Sequence, residues 1–247
     1  MHLELAVFDL SCLVIGLGET CSTLLRECAR GAGVSISNDD ARAVLGLPVR
    51  RAVAALFQTG HDLSVAARRT EYVFDAYSAD LLDRFSRQGA VRTVDGTAST
   101  FAAVRALDVR IAVTTSLPRR VADVVLGSVD WFDRDLVDVA VTCDDVDEPR
   151  PRPGMILAAM DRTSVREESR VLTLGDTPSA LVEGTLARCG AIVCAAYGSH
   201  SREELILRPH THLVNDLPSL VDIVRAPARE YPFSMDRVSL VALDVPG

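Results

Sequence analysis

Short apolar runs rich in β-branched residues, separated by stretches of helical periodicity, are what most constrains the fold of this chain. The runs fall at residues 3–8, 109–113, 136–142, 171–174, 191–195 and 212–214. Their near-continuous apolarity marks strands buried on both faces, since a half-buried strand would alternate. Between them, residues 100–107, 119–126, 154–160 and 179–188 carry the three- and four-residue spacing of helices that cover a sheet. That alternation predicts an α/β fold with a doubly wound parallel sheet. Ligands of such sheets bind beyond the carboxyl ends of the strands. Asp9, Thr115 and Asp176 each follow a strand's last apolar residue, so the fold would gather them along one edge.

The interval between the first and second runs, roughly residues 16–92, is far longer than one crossover helix requires. Its own patterns are helical, at 22–32, 39–44, 49–57 and 65–87, with Asn38, Asp39 and Ser64 as candidate caps. An inserted helical cap is the natural reading. The expected organisation is therefore a core of residues 1–15 and 93–225, a cap of 16–92 and a C-terminal extension of 226–247. That extension carries three prolines and a β-leaning stretch at 238–243. No fixed-period repeat points to a solenoid.

Composition excludes several functions. A net charge of −8 argues against nucleic acid and anionic membrane as partners, since both need a clustered basic surface. A small-molecule substrate fits better. No run approaches the ~20 apolar residues of a spanning helix, and the apolar N-terminus lacks a basic n-region and carries Glu4 and Asp9. Six cysteines form no CxxC pair and no zinc-like spacing, as in a reduced, cytoplasmic protein. All 26 basic residues are arginine. Without lysine, neither a Schiff base nor a lysine general base is available.

Four segments carry candidate chemistry. Val7-Phe8-Asp9-Leu10-Ser11 puts a carboxylate at a strand end, where it can attack phosphorus or carbon, or simply cap a turn. Ile111-Ala112-Val113-Thr114-Thr115-Ser116 ends a strand in hydroxyls before a helix start, a good anion site and also a pattern of ordinary capping residues. In Pro149-Arg150-Pro151-Arg152-Pro153, alternating prolines fix where the arginines project, either to neutralise a phosphoryl group or as a rigid surface connection. Gly175-Asp176-Thr177-Pro178 follows a strand, and Asp176 is a hard oxygen ligand suited to Mg²⁺ or a helix N-cap.

As an ordered set, these four segments resemble the haloacid dehalogenase (HAD) superfamily over most of the chain, and within it the phosphonoacetaldehyde hydrolase-like, or phosphonatase-like, branch. Two softer stretches, 89–107 and 198–217, resemble that branch as well. The resemblance implies a HAD-like Rossmannoid core with an inserted cap, Mg²⁺ as cofactor and a small phosphorylated metabolite as substrate. It implies Asp9 as nucleophile, with Asp9, the Ser11 carbonyl and Asp176 as metal ligands. Thr115 and Arg150 would act on the phosphoryl group, with Ser11 and Ser116 alongside them in binding it.

The sequence also departs from that family pattern. Ser11 stands where family phosphatases carry an acid/base Asp, Cys12 and Leu13 replace a Gly and a Thr, and Ala180 replaces a second acid; Asp144 and Asp145 are candidate substitutes or plain loop acids. The branch's imine-forming lysine has Val49 in its place, in Gly46-Leu47-Pro48-Val49-Arg50, so phosphonoacetaldehyde cleavage by an imine route is excluded. The expected function is a Mg²⁺-dependent phosphatase or phosphonatase-like hydrolase. The alternatives are a HAD-fold pseudoenzyme or interaction protein, and a metal-independent, dehalogenase-like displacement at carbon. An apolar cap face would serve a homodimer, and the same residues also read as the cap's own core.

Overall fold

The computed structural model describes residues 2–57 and 63–226; the β-leaning stretch at 238–243 lies outside them. The strands are β1 (Leu5–Asp9), β2 (Arg110–Thr115), β3 (Val139–Thr142), β4 (Val171–Gly175), β5 (Ala191–Ala195) and β6 (His212–Val214). They pair in parallel in the order β3-β2-β1-β4-β5-β6. The helices are α1 (Leu17–Gly31), α2 (Asn38–Ala43), α3 (Val49–Phe57), α4 (Leu63–Phe85), α5 (Thr97–Arg105), α6 (Arg119–Gly127), α7 (Gly154–Arg162), α8 (Pro178–Leu186), α9 (Arg202–Leu205) and α10 (Leu220–Arg225).

Side chains of β1 divide between two cores by the period of two that a strand imposes. Ala6 and Phe8 face a core built with α5, α6 and the helices between β1 and β2, whereas Leu5 and Val7 face a second core built with α7 and α8. Phe8 is fully buried and meets Phe101 edge-on at 5.0 Å, and Phe101 meets Trp131 in the same way at 5.4 Å. Burying a side chain of this size contributes roughly 3 kcal/mol.

The third strand starts at Val139 rather than at residue 136. The Leu136 amide donates to the Trp131 carbonyl at 2.8 Å, closing a turn, and the Asp138 carboxylate accepts from the Ile111 amide at 2.7 Å. Asp138 thus anchors the start of β2, and neither residue extends β3.

Between β1 and β2 lie α1 to α4, the inserted cap. Leu17, Cys21, Leu24, Leu25, Cys28 and Ala29 form the buried stripe of α1, and Val73, Tyr77, Leu81 and Phe85 that of α4, at the spacing of helical neighbours. Ser37 is the N-cap of α2, where residues 38 and 39 had been the candidates. Its hydroxyl accepts from the Asp40 amide at 3.0 Å while the Asp40 carboxylate accepts from the Ser37 amide at 3.0 Å, a capping box that Asn38 and Asp39 cannot make from inside the first turn. Ser64 likewise falls within α4, which begins at Leu63.

Because the chain runs outward from β1 to β3 and then returns to the other side of β1, strand order reverses beside β1. A crevice opens at the carboxyl end of such a switch point. Asp9 is level with Thr114, and Phe8 with Leu174, so Thr115 at the end of β2 and Asp176 just after β4 stand at nearly the same height as Asp9.

Candidate active site

Asp9 ends β1 and is 4% exposed. One of its oxygens, Oδ1, accepts from the Ser11 amide at 3.3 Å, capping the short 3-10 turn Leu10–Cys12; the other, Oδ2, forms an ion pair with Arg150 Nη1. Capping and a charged contact are thus both present, one on each oxygen. Cys12 and Leu13 are fully buried in the core behind that turn, which accommodates them as apolar packing.

Arg150 is buried and its guanidinium is held from three elements. Nη1 meets Asp9 on β1, Nε donates to Glu183 Oε2 on α8 at 2.6 Å, and Nη2 donates to Thr114 Oγ1 on β2 at 2.9 Å. Burial would lower its pKa, but Asp9 and Glu183 together push it above the ordinary arginine value, so it stays charged. Burial raises the carboxyls of Asp9 and Glu183, with Arg150 opposing in each case; Asp176 adds to the rise at Asp9. Arg152, two residues on, is exposed.

Thr115 accepts from the Leu117 amide at 3.2 Å and faces the same cavity as Asp9 and Arg150. Ser116 also lines it, with its hydroxyl donated to the Gly46 carbonyl of the cap at 2.6 Å. Asp176 is fully buried. Its Oδ1 accepts from the Ser11 hydroxyl at 2.6 Å, and its Oδ2 accepts from the Ser199 amide at 2.7 Å and the Ser199 hydroxyl at 2.6 Å. Gly198 makes that approach feasible, because a Cβ there would collide with the Asp176 side chain. Asp144 and Asp145 are committed elsewhere, to the Arg119 amide at 2.8 Å and the Arg119 guanidinium, fixing the start of α6.

For a hard cation, the available oxygen donors are Asp9, Asp176 and the Ser11 carbonyl. Asp176 has no cationic side chain paired with it among the described residues, and its charge pushes Asp9 up, so a divalent ion is compatible with the pair. No cluster of three His, Cys, Asp or Glu groups occurs among the described residues. Mg²⁺ tolerates such a sparse set because it keeps several waters.

The cavity between these residues and the cap has a volume of about 60 Å³. The loop from α2 to α3 forms part of its wall, and Gly46 at φ +88° lies so near Thr177 and Ser179 that any Cβ would strike their hydroxyls. Val49 lines the cavity. Arg50 beside it turns away, stacked 3.3 Å over the Phe74 ring and paired with Glu71 at 3.0 Å, so it does not stand in for a cap lysine.

Three polar residues with roles here carry no assignment from the sequence: Glu183, Ser199 and His200; Thr114, one of the three hydroxyls read as an anion site, instead accepts from Arg150. Glu183 left a signal, since it is the one charged residue in α8 and a buried charge needs a partner. His200 bridges core and cap, with Nδ1 at 3.2 Å from the Asp176 carbonyl and Nε2 at 3.1 Å from the Arg42 carbonyl. Nothing local in the sequence marks that contact.

The family model for haloacid dehalogenase-like hydrolases matches residues 6–192. A phosphonoacetaldehyde hydrolase from Paraburkholderia phytofirmans is 26% identical over 227 residues, covering 85% of this chain and 82% of its own. Among solved structures, a hydrolase from Pseudomonas syringae superposes with a TM-score of 0.74 at 16% identity, covering 92% of this chain and 100% of the other. A phosphonoacetaldehyde hydrolase-like protein from Oleispira antarctica gives 0.72 at 12% identity, covering 91% and 92%.

Proposed function

The chain belongs to the haloacid dehalogenase-like hydrolase family, and from that premise we propose that it hydrolyses a small organic phosphate by covalent catalysis, with Asp9 as the nucleophile. The observation that carries this reading is the buried Asp9–Arg150 ion pair at the wall of the cavity beneath the cap, with Thr115 facing the same space.

In this reading, Oδ1 of Asp9, which accepts the long bond from the Ser11 amide, attacks phosphorus. A phosphorus–oxygen bond to Asp9 forms as the bond to the leaving oxygen breaks, and that oxygen takes the electron pair. Thr115 donates its hydroxyl to a phosphoryl oxygen. Arg150, kept in orientation by Glu183 and Thr114, balances the charge that builds on the others. Water then adds at phosphorus and Asp9 departs as carboxylate, with the water's protons shared between phosphate and solvent. Mg²⁺ bound by Asp9, Asp176 and the Ser11 carbonyl would neutralise the phosphoryl dianion as it nears the carboxylate. The phosphorus–carbon route of the phosphonatase relative is not carried over, because with Val49 at the cavity wall and no lysine in the chain there is no imine to accept the carbanion.

The test is Mg²⁺-dependent phosphate release from a panel of small phosphorylated metabolites. Asp9→Asn is expected to abolish it while leaving thermal unfolding cooperative; equal release by wild type and variant would overturn the assignment.

A further inference from the structure

Resting on the hydrolase reading above, the lining of the cavity narrows the substrate. On the cap side the walls are Leu17, Cys21 and Leu25 of α1, Val44 to Leu47 of the connecting loop, Val49 and Ala52 of α3, and Tyr77 of α4. The described lining residues include only two charged groups, Asp9 and Arg150, and these pair with each other. A wider cleft adjoins the cavity at Ser11, Leu17, Gly18 and Leu45. It presents Glu19, Asp95 and Asp216, while its arginine, Arg42, is held by Glu204 at 2.5 Å. A second anionic group on a substrate would therefore meet apolar wall inside and carboxylates outside.

Among its described residues the same lining holds no general acid matched to assisting a departing alkoxide near neutral pH. Apart from Asp9 and Arg150, its ionisable groups are Cys21, whose thiol burial raises to about 11, and Tyr77, whose hydroxyl burial pushes well above its ordinary value. Ser11 commits its hydroxyl hydrogen to Asp176. A leaving group must then depart without help, which requires it to be a weak base. Size points the same way, for about 60 Å³ of space leaves room for little more than the phosphoryl group before the acidic cleft begins.

We infer that the site takes a phosphoryl donor whose organic part is short, uncharged and apolar and departs as a weak base, the class of short-chain acyl phosphates. With propionyl phosphate the balance closes simply. The Asp9–phosphorus bond forms, the phosphorus–oxygen bond to the acyl group breaks, and propionate leaves with the electron pair and needs no proton.

The experiment compares kcat/KM for propionyl phosphate, n-propyl phosphate and succinyl phosphate on the full chain with Mg²⁺, each against Asp9→Asn. Propionyl phosphate is expected to exceed n-propyl phosphate, for want of a general acid, and succinyl phosphate, for want of a cationic partner, by at least about 100-fold each. In Val49→Arg, the succinyl-to-propionyl ratio is expected to rise about tenfold. Asp9-dependent release from n-propyl or succinyl phosphate as fast as from propionyl phosphate would overturn the inference and leave the hydrolase reading intact. No Asp9-dependent release from any of the three, nor from the wider metabolite panel, would overturn both.

Discussion

Arg150 reaches three elements with one guanidinium, and Glu183 is the partner that keeps it from swinging toward the Asp9 side alone. Removing one member of a buried ion pair leaves an uncompensated contact, so Glu183→Ala should lower stability by about 3 kcal/mol. Glu183→Gln, whose carbonyl still accepts from Nε, should keep more of that stability, and both should reduce turnover. Urea midpoints for the two variants check this, and an Ala variant as stable as wild type would remove Glu183 from the network. A second residue sets an acid limit. Although burial tends to raise the Asp145 carboxyl, the Arg119 guanidinium and the Thr142 amide and hydroxyl outweigh it and hold the group down at about 2, below its ordinary 3.8. A carboxyl depressed on folding contributes stability in full above its unfolded value, and that contribution disappears as pH falls through the folded one. Asp145→Asn should therefore flatten the loss of stability between about pH 4 and pH 2, as read from urea midpoints across that window. At this scale the sequence made Asp9, Thr115, Arg150 and Asp176 legible because each stands at a strand end or beside prolines. The partners of Thr114 and Ser199 stayed hidden because a hydroxyl's partner depends on strand register and loop approach.

Among the elements, the loop joining α2 and α3 forms part of the cavity wall. The Ser116 hydroxyl holds its Gly46 carbonyl, and the Ser179 hydroxyl reaches the Leu45 carbonyl at 3.5 Å. Gly46 has φ in the left-handed region and no room for a Cβ. Gly46→Ala should cost about 1–3 kcal/mol of strain and loosen the cap. A raised KM with a smaller change in kcat is the expected signature, and unchanged kinetics would show that this loop does not govern access. Most helices and strands lie close to where periodicity puts them, and α3 has the bounds read from its apolar spacing. The differences have local causes. Ser37 caps α2 because only its position allows the reciprocal bonds with Asp40, and β3 is shortened because the Leu136 and Asp138 groups are taken by other partners.

Over the whole molecule, the chain of aromatic contacts Phe8–Phe101–Trp131 ties the central strand to the helices on its face. Trp131 is the sole tryptophan and is buried, so its emission should shift to the red in one cooperative step on unfolding. Phe101→Ala should destabilise by about 3–5 kcal/mol and move that step accordingly, and an unaltered midpoint would show that this core face repacks without loss. The sequence by itself determined the α/β class, the parallel sheet, the helical insertion and the strand ends that carry the acids. These follow from periodicities of two and 3.6 and from residues whose chemistry needs no partner to be noticed. It also settled one point of chemistry, since a chain without lysine forms no lysine imine. Only the tertiary structure decided that Arg150 turns inward to Asp9 and Arg152 outward, that Glu183 and His200 join the site, and that the cap wall over Asp9 is apolar. Those contacts span up to 165 residues of chain, as between Ser11 and Asp176. They depend on which strands neighbour one another and how a loop approaches them, and short-range residue patterns do not encode that.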